Sequence, residues 1–233
     1  MNIALLGYGK MGKTIEQIAL KRGHKIVLTV DKDDVGYDIS KADVAIDFSI
    51  PTVAFNNISN CINTGVPVIS GTTGWLEHYD NAVALCNEKK GAFIYASNYS
   101  LGVNIFFELN KSLAKMMSAL KQYNVALEEI HHTQKLDAPS GTAISLAHDI
   151  IANNANFDAW KLDEAAEKTI PIKAKRIADV PGTHTVSYQS DVDTITIAHV
   201  AHTREGFALG AVIAAEWLVG KTGIFTMNDV LGL

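Results

Sequence analysis

Between His131 and Ala143 the chain reads HHTQKLDAPSGTA. Two adjacent imidazoles, an ammonium group and a Ser-Gly-Thr turn entering a helix share one short piece of backbone. Histidine titrates near neutral pH, so it can supply a proton while a C=N or C=C bond is reduced. Lys135 offers a fixed positive charge for a carboxylate or a developing anion. Pro139 fixes the turn, and the amides near Ser140, Gly141 and Thr142 are candidates for the unpaired donors of a helix start, which bind carboxylates well. His131 and His132 end a strand-like run, where neighbouring side chains point to opposite faces, so one of the two should face the reacting atom directly. No metal is expected, because adjacent histidines lack the spacing of a helical ligand pair and no Cys/His cluster completes a shell.

A second motif, GYGKMG, comprises Gly7, Tyr8, Gly9, Lys10, Met11 and Gly12. It follows a short apolar run and opens an amphipathic one, the setting in which G-x-G-x-x-G binds a dinucleotide. Gly7 permits the tight turn, Gly9 lets a pyrophosphate approach the backbone, and Gly12 lets helix and strand pack closely. The positive end of the helix then faces the phosphates. Asp31 ends the second strand-like run roughly 20 residues further on, where a carboxylate holds ribose hydroxyls. Asp31 disfavours a 2′-phosphate and the neighbouring Lys32 offsets that bias, so NADH is the first expectation and NADPH stays open. Two further strand ends would flank the same ligand: SGTTGW, with Gly71, Thr72 and Thr73, and YASNYS, with Ala96, Ser97, Asn98 and Tyr99. Together these motifs describe a nicotinamide-dependent reductase of a small anionic substrate.

These residues must be positioned by a fold, and the pattern around them indicates which. Ile3–Leu6, Lys25–Val30, Val44–Phe48, Pro67–Ser70 and Phe93–Ala96 are short strand-like runs. They alternate with helical spacing over Met11–Lys21, Val53–Asn63 and Leu76–Glu88, which predicts a parallel sheet covered by helices on both faces. The pattern then changes. Asn104–Leu120 is a helix whose Ile105, Phe106, Leu109, Leu113, Met116, Met117 and Leu120 are all expected in the core. Tyr123–Ile130 predicts a strand, Ala143–Ala152 a helix, and Thr183–Gln189 with Thr194–Ala201 an antiparallel hairpin. Glu205–Leu218 is a final helix that returns to the first domain. The fold class is therefore α/β: a Rossmann-type dinucleotide-binding domain, 1–103 plus 205–233, with a second α+β domain, 104–204, that carries a mixed sheet.

The bulk numbers exclude other classes. With 233 residues, 48% hydrophobic and 19% charged, the chain has the composition of an ordinary soluble globular protein. A net charge of -5 and the lack of any Lys/Arg run speak against nucleic acid as a partner. The longest apolar stretch, Phe207–Val219, is interrupted by Glu216 and falls short of the ~20 residues of a membrane span. Cys61 and Cys86 form no C-x-x-C and are expected as buried thiols in helices, and the N-terminus has no signal-peptide character; a cytoplasmic setting fits.

GYGKMG, IDFSIP (Ile46–Pro51), SGTTGW, SNYSLGVN (Ser97–Asn104) and above all EIHHTQKLDAPSGTA resemble the dihydrodipicolinate reductases, also called 4-hydroxy-tetrahydrodipicolinate reductases. GTHTV (Gly182–Val186), the strand holding His199 and REGFALGA (Arg204–Ala211) extend the resemblance over nearly the whole chain. It implies reduction of 4-hydroxy-tetrahydrodipicolinate to tetrahydrodipicolinate with NADH or NADPH and loss of water, in lysine and diaminopimelate biosynthesis. By position it makes His131 the proton donor and Lys135 the second catalytic group, with His132, Gly141 and Thr142 on a substrate carboxylate and Ser140 assisting. It further implies a small dicarboxylate as the substrate and a homotetramer joined through the sheets of the second, substrate-binding domains. Many relatives have one residue more in the glycine loop and an Arg where this chain has Lys32. The chain is also short for the family, and 153–174 is where the shortening is expected. Another Rossmann dehydrogenase would share Gly7 to Asp31 but has no need of HHTQK followed by SGT. A non-catalytic nucleotide sensor would not keep His131, Lys135 and the Ser-Gly-Thr loop together.

Overall fold

Four or five consecutive apolar residues bounded by turn formers suffice for a strand buried on both faces and are too few for a helix. In the computed structural model, which describes residues 1–31, 34, 36–203 and 205–233, each such run is a strand. The chain begins β1 (Asn2–Leu6), α1 (Lys10–Lys21), β2 (Lys25–Val30), β3 (Val44–Asp47), α2 (Pro51–Thr64) and β4 (Val68–Ser70). A tight helical turn (Leu76–His78) leads into α3 (Tyr79–Lys89) and β5 (Ala92–Tyr95). Next come α4 (Leu101–Met117), β6 (Asn124–His131), α5 (Gly141–Asn153), β7 (Ala159–Leu162), β8 (Thr169–Arg176), β9 (Gly182–Gln189) and β10 (Thr194–Ala201). The chain ends with α6 (Glu205–Leu218), β11 (Gly223–Phe225) and α7 (Met227–Leu231). It divides into two compact units, Met1–Leu101 with Glu205–Leu233, and Gly102–Arg204.

The first unit is built on a parallel sheet in the order β11-β5-β4-β3-β1-β2. Strand alternation divides its core in two. Ile3 and Leu5 pack with Ile15 and Ala19 of α1 and with Ala208, Ala211, Ala215 and Leu218 of α6. Ala4 and Leu6 face the other way, against Ile58 and Ile62 of α2 and Ala82 of α3. Cys61 and Cys86 are free, buried thiols in that second cluster. Because β1 lies between β2 and β3, the winding reverses there, and a crevice opens at the carboxyl ends of the strands.

The second unit has a mixed sheet, β10-β9-β6-β8-β7. β8 runs parallel to β6 and β7, while β9 is antiparallel to β6 and β10. One face is apolar over most of its length: Val125, Leu127, Ile170, Ile172, Val186 and Tyr188 pack against Leu146, Ala147 and Ile150 of α5 and Phe106, Ala114 and Met117 of α4.

Four features depart from expectation. β7 and β8 occupy the stretch expected to be trimmed, and Pro171 with its flanking lysines masks the strand pattern of TIPIKAKR. β11 and α7 are additional elements of the first unit. α4 begins earlier and ends at Met117, so Leu120 lies beyond it. The apolar stripe of α4 is also shifted in phase. Its buried line is Val103, Phe106, Asn110, Ala114 and Met117, whereas Ile105, Leu109 and Met116 are 44%, 54% and 72% exposed. A helix buries one face only, and here Asn110 takes a core position by donating to the Leu146 carbonyl oxygen at 3.0 Å.

Candidate active site

The crevice of the first unit is shaped by backbone packed at contact distance. Gly7 has φ 96°, and a Cβ there would lie 2.2 Å from the Phe48 carbonyl oxygen. A Cβ on Gly12 would lie 2.2 Å from the Gly7 oxygen. Gly9 differs, with nothing within 4 Å of the place its Cβ would take, and it is the N-cap residue of α1. The start of the helix is thus open to an anion at Gly9 and closed on either side. Tyr8 is tied down by a hydrogen bond from its hydroxyl to Glu16. Lys10 is exposed, and Met11 packs on the core.

Beside this opening lies a hollow of about 640 Å³ lined by Gly7, Tyr8, Gly9, Asp31, Asp34, Tyr37, Ser49, Ile50 and Asn57, among others. The Asp31 amide donates to Asp34 Oδ2 at 2.8 Å, and the Tyr37 hydroxyl to Asn57 Oδ1 at 2.8 Å. Asp34, Tyr37 and Asn57 were not singled out in the sequence, because their spacing matches no local motif. Lys32 lies outside the described residues. The hollow adjoins the open helix start at Gly9.

Asp47, at the end of β3, ties together the loops beside this hollow. Its fully buried carboxylate accepts from Ser49 Oγ (2.6 Å), Asn57 Nδ2 (3.2 Å), Ser70 Oγ (2.8 Å) and Thr72 Oγ1 (2.8 Å). Burial raises it above the ordinary carboxylate range, and the four hydrogen bonds counter that rise. Four donors on two oxygens match an acceptor-only, ionised group. Thr72 Oγ1 also accepts from the Ser49 amide at 2.9 Å, so the Thr72 side chain serves the scaffold. Tyr99 does likewise: it is buried and donates its hydroxyl to the Ser70 carbonyl oxygen at 3.0 Å. Gly71 leaves room for the Phe48 ring, 2.3 Å from where its Cβ would lie. Thr73 and Ser97 are exposed at the ends of these loops, the Ala96 amide donates to the Ser70 oxygen, and Asn98 Oδ1 accepts from the Ser100 amide at 2.8 Å.

In the second unit the apolar sheet face turns polar at one end. Alternation along β6 puts Glu129 and His131 on the face that Val125 and Leu127 occupy further down. Strand register supplies the neighbours: His184 of β9 stands opposite Glu129, and Arg176 of β8 opposite His131. His131 Nδ1 lies 2.9 Å from Glu129 Oε2, at ion-pair distance but without a hydrogen bond's angle. Glu129 Oε1 accepts from the Ser140 amide and from Arg176 Nη2, both at 3.1 Å. Burial alone would raise the Glu129 carboxyl. His131, Ser140 and Arg176 outweigh it and bring it down to about 2. His184 is brought down to about 4, by burial first and then by His131. Its neutral Nε2 lies 3.0 Å from Ser140 Oγ, which itself accepts from the Ala143 amide at 3.2 Å.

The amide of Ser140 is therefore engaged by Glu129, contrary to its expected role as an unpaired donor. Gly141 and Thr142 hold the open positions at the mouth of α5, and nothing lies within 4 Å of a Cβ placed on Gly141. Lys135 Nζ contacts both oxygens of Asp137, at 2.8 and 2.7 Å. Arg176 braces this loop, donating to the Lys135 and Asp137 carbonyl oxygens at 3.2 and 2.6 Å. His132, on the other side of the strand end, lines a separate hollow of about 210 Å³ with Thr133, Gln134 and Ala178–Pro181. His131, Lys135, Ser140, Gly141 and Thr142 thus come together around Glu129, Arg176 and His184. Among the described residues, Glu129, His131 and His184 also place ligand-type atoms within 4.8 Å of one another. Arg176 already compensates the carboxylate there, which disfavours a cation.

Residues 1–99 match the family described as Dihydrodipicolinate reductase, N-terminus, and residues 102–231 the one described as Dihydrodipicolinate reductase, C-terminus. A 4-hydroxy-tetrahydrodipicolinate reductase of Christiangramia forsetii is 60% identical over 233 residues, 99% of this chain and 98% of the relative. The enzyme of that name from Neisseria gonorrhoeae is 34% identical over 94% of this chain and 84% of its own length. Among solved structures, a dipicolinate-bound dihydrodipicolinate reductase from Paenisporosarcina sp. TG-14 superposes with TM-score 0.78 at 22% identity, covering 97% of each chain, a likeness of fold.

Proposed function

The chain belongs to the dihydrodipicolinate reductase family, and from that premise we propose that its two units divide one reduction between them. The crevice of the first unit holds NADH or NADPH, and the polar end of the second unit's sheet holds a small cyclic dicarboxylate. The protein is an oxidoreductase of lysine and diaminopimelate biosynthesis, reducing 4-hydroxy-tetrahydrodipicolinate to tetrahydrodipicolinate. When bound, the pyridine nucleotide supplies the hydride.

In this reading Gly9 and the start of α1 take the pyrophosphate, Gly7 and Gly12 shape the turn by close packing, and Asp31 takes the adenosine ribose. The Gly71–Thr73 backbone and the Ala96–Asn98 segment take the nicotinamide end, with Tyr99 supporting them from below. NADH is preferred. Asp31 and Asp34 both line the hollow, and their negative charge disfavours a 2′-phosphate; Lys32, beside Asp31, lies outside the described residues.

In the second unit His131 donates the proton from Nε2, because Nδ1 faces Glu129. Lys135 leaves Asp137 for a substrate carboxylate, and the amides of Gly141 and Thr142 hold that group at the helix start; His132, expected beside it, faces the separate hollow instead. Ser140 acts from within the scaffold as the cap of α5. The observation that carries this reading is the convergence of a proton donor, a lysine and an open helix start on one polar sheet end. The assembly we assign is a homotetramer through the second units: β10 is an edge strand, with Ile195 and Val200 39% and 52% exposed. Two buried free thiols fit a cytoplasmic setting.

The test is oxidation of NADH and of NADPH, followed by absorbance, with freshly generated 4-hydroxy-tetrahydrodipicolinate. Oxidation is expected with NADH ahead of NADPH, and His131→Ala should lower turnover by roughly 10²–10⁴-fold with cofactor binding intact. Near-normal turnover in that variant would remove His131 from its role. A folded protein that binds NADH yet oxidises neither nucleotide would overturn the assignment.

A further inference from the structure

A histidine that delivers a proton from one ring nitrogen needs its other nitrogen defined, because the neutral ring has two tautomers. Among the described residues, the structure offers one group for that task. Glu129 and His131 are two apart on β6 and share its buried face. The Glu129 side chain is fully buried, and its Oε2 lies 2.9 Å from His131 Nδ1. Neither atom has a hydrogen-bond partner as placed, and the next nearest ionisable group to Oε2, His184 Nε2, is farther away at 3.9 Å, so each is the other's available complement. Glu129 itself cannot turn away, since Oε1 is held by the Ser140 amide and by Arg176. On the far side of the ring, Gly182 makes room: a Cβ there would lie 3.2 Å from His131 Nε2.

We propose that Glu129 is the positioning residue of the proton donor, holding a hydrogen on His131 Nδ1 so that Nε2 delivers the proton. The inference rests on His131 as donor and adds the group that selects its tautomer. When the imidazolium gives its Nε2 proton to the substrate, the ring is left neutral with hydrogen on Nδ1, and Glu129 stays ionised throughout. Through Oε1 the same carboxylate is joined to the first residue of the anion-binding turn, so proton donor and carboxylate cradle are set by one side chain. The charged and titratable groups around this pair are His184 from β9, Arg176 from β8, and Lys135 and Asp137 from the loop after β6; His199 of β10 lies in register beyond His184.

Nitrogen-15 NMR of the histidine rings, with His131 assigned by its loss in His131→Ala, reads the tautomer directly in the unaltered protein. The neutral ring is expected to carry hydrogen on Nδ1; hydrogen on Nε2 would overturn the proposal whatever the activity assay gives. Glu129→Gln keeps the shape but presents an amide donor to Nδ1, which favours the wrong tautomer. Turnover should drop by roughly 10²–10⁴-fold, NADH affinity should hold, and the alkaline limb of the turnover profile should move to lower pH. Added to His131→Ala, the same substitution should cost no further turnover. An equal loss in both backgrounds would make Glu129 a structural residue only. Lack of any NADH oxidation by the unaltered protein would instead count against the assigned reaction.

Discussion

On the proposed reading, Lys135 and Asp137 show how a recognition charge is kept before its ligand arrives. The ammonium group rests on both Asp137 oxygens and holds that carboxyl below its usual range. A dicarboxylate bound as proposed must displace this partner. Asp137 is largely exposed, and such a pair is worth only about 0–1 kcal/mol. Asp137→Asn should therefore tighten dipicolinate binding by no more than about fivefold, and Lys135→Ala should weaken it, as read by calorimetric titration. Unchanged affinity in Lys135→Ala would leave that lysine without an anion contact. Asp31 is assigned by the same logic of charge: Asp31→Ala should weaken NADH more than NADPH, and equal weakening would argue against a ribose contact.

At the scale of elements, the start of α5 carries a separable test. A methyl group at residue 141 meets no protein atom within 4 Å, and alanine favours a helix over glycine by up to about 1 kcal/mol. Gly141→Ala should keep or raise the melting temperature while weakening dipicolinate, since the methyl intrudes where the proposed site puts the anion. Unaltered affinity would move the anion elsewhere. Legibility in the sequence followed the range of the interactions. The glycine loop, the buried strands and HHTQKLDAPSGT are local patterns, and each could be placed from spacing alone. Arg176 and His184 meet Glu129 because β6, β8 and β9 align in register, which no local spacing announces, whereas Glu129 and His131 are paired by the two-residue step of a single strand. β8 was hidden by Pro171 and its lysines, and the phase of α4 was obscured because Asn110, a polar residue, sits in the core line while Leu109 does not.

For the whole molecule, the polar end of the second sheet sets a response to acid. Neutral His184, at about 4 when folded against an ordinary 6.5, refuses a proton that the unfolded chain accepts, so stability falls as pH drops from about 6.5 to 4. Glu129, lowered from 4.5 to about 2, contributes fully above 4.5, and that contribution is lost as pH falls through about 2. Urea unfolding across this range should show a continuous decline in the unaltered protein and a shallower slope below pH 4.5 in Glu129→Gln. A parallel slope in that variant would mean that Glu129 is not the group titrating.

The first unit is made from the two ends of the chain. α6 brings Ala208, Ala211, Val212, Ala214, Ala215 and Leu218 to a cluster whose other buried members, Met227 apart, were synthesised before residue 102. During translation, then, β1 to β5 emerge with one side of their sheet covered by α1 alone, while the whole of Gly102–Arg204 is made and is free to fold. The nucleotide unit, first to be started, is the last that can be finished, and a ribosome stalled after residue 204 leaves the part of its apolar sheet face that α6 covers bare for a chaperone or a protease to find.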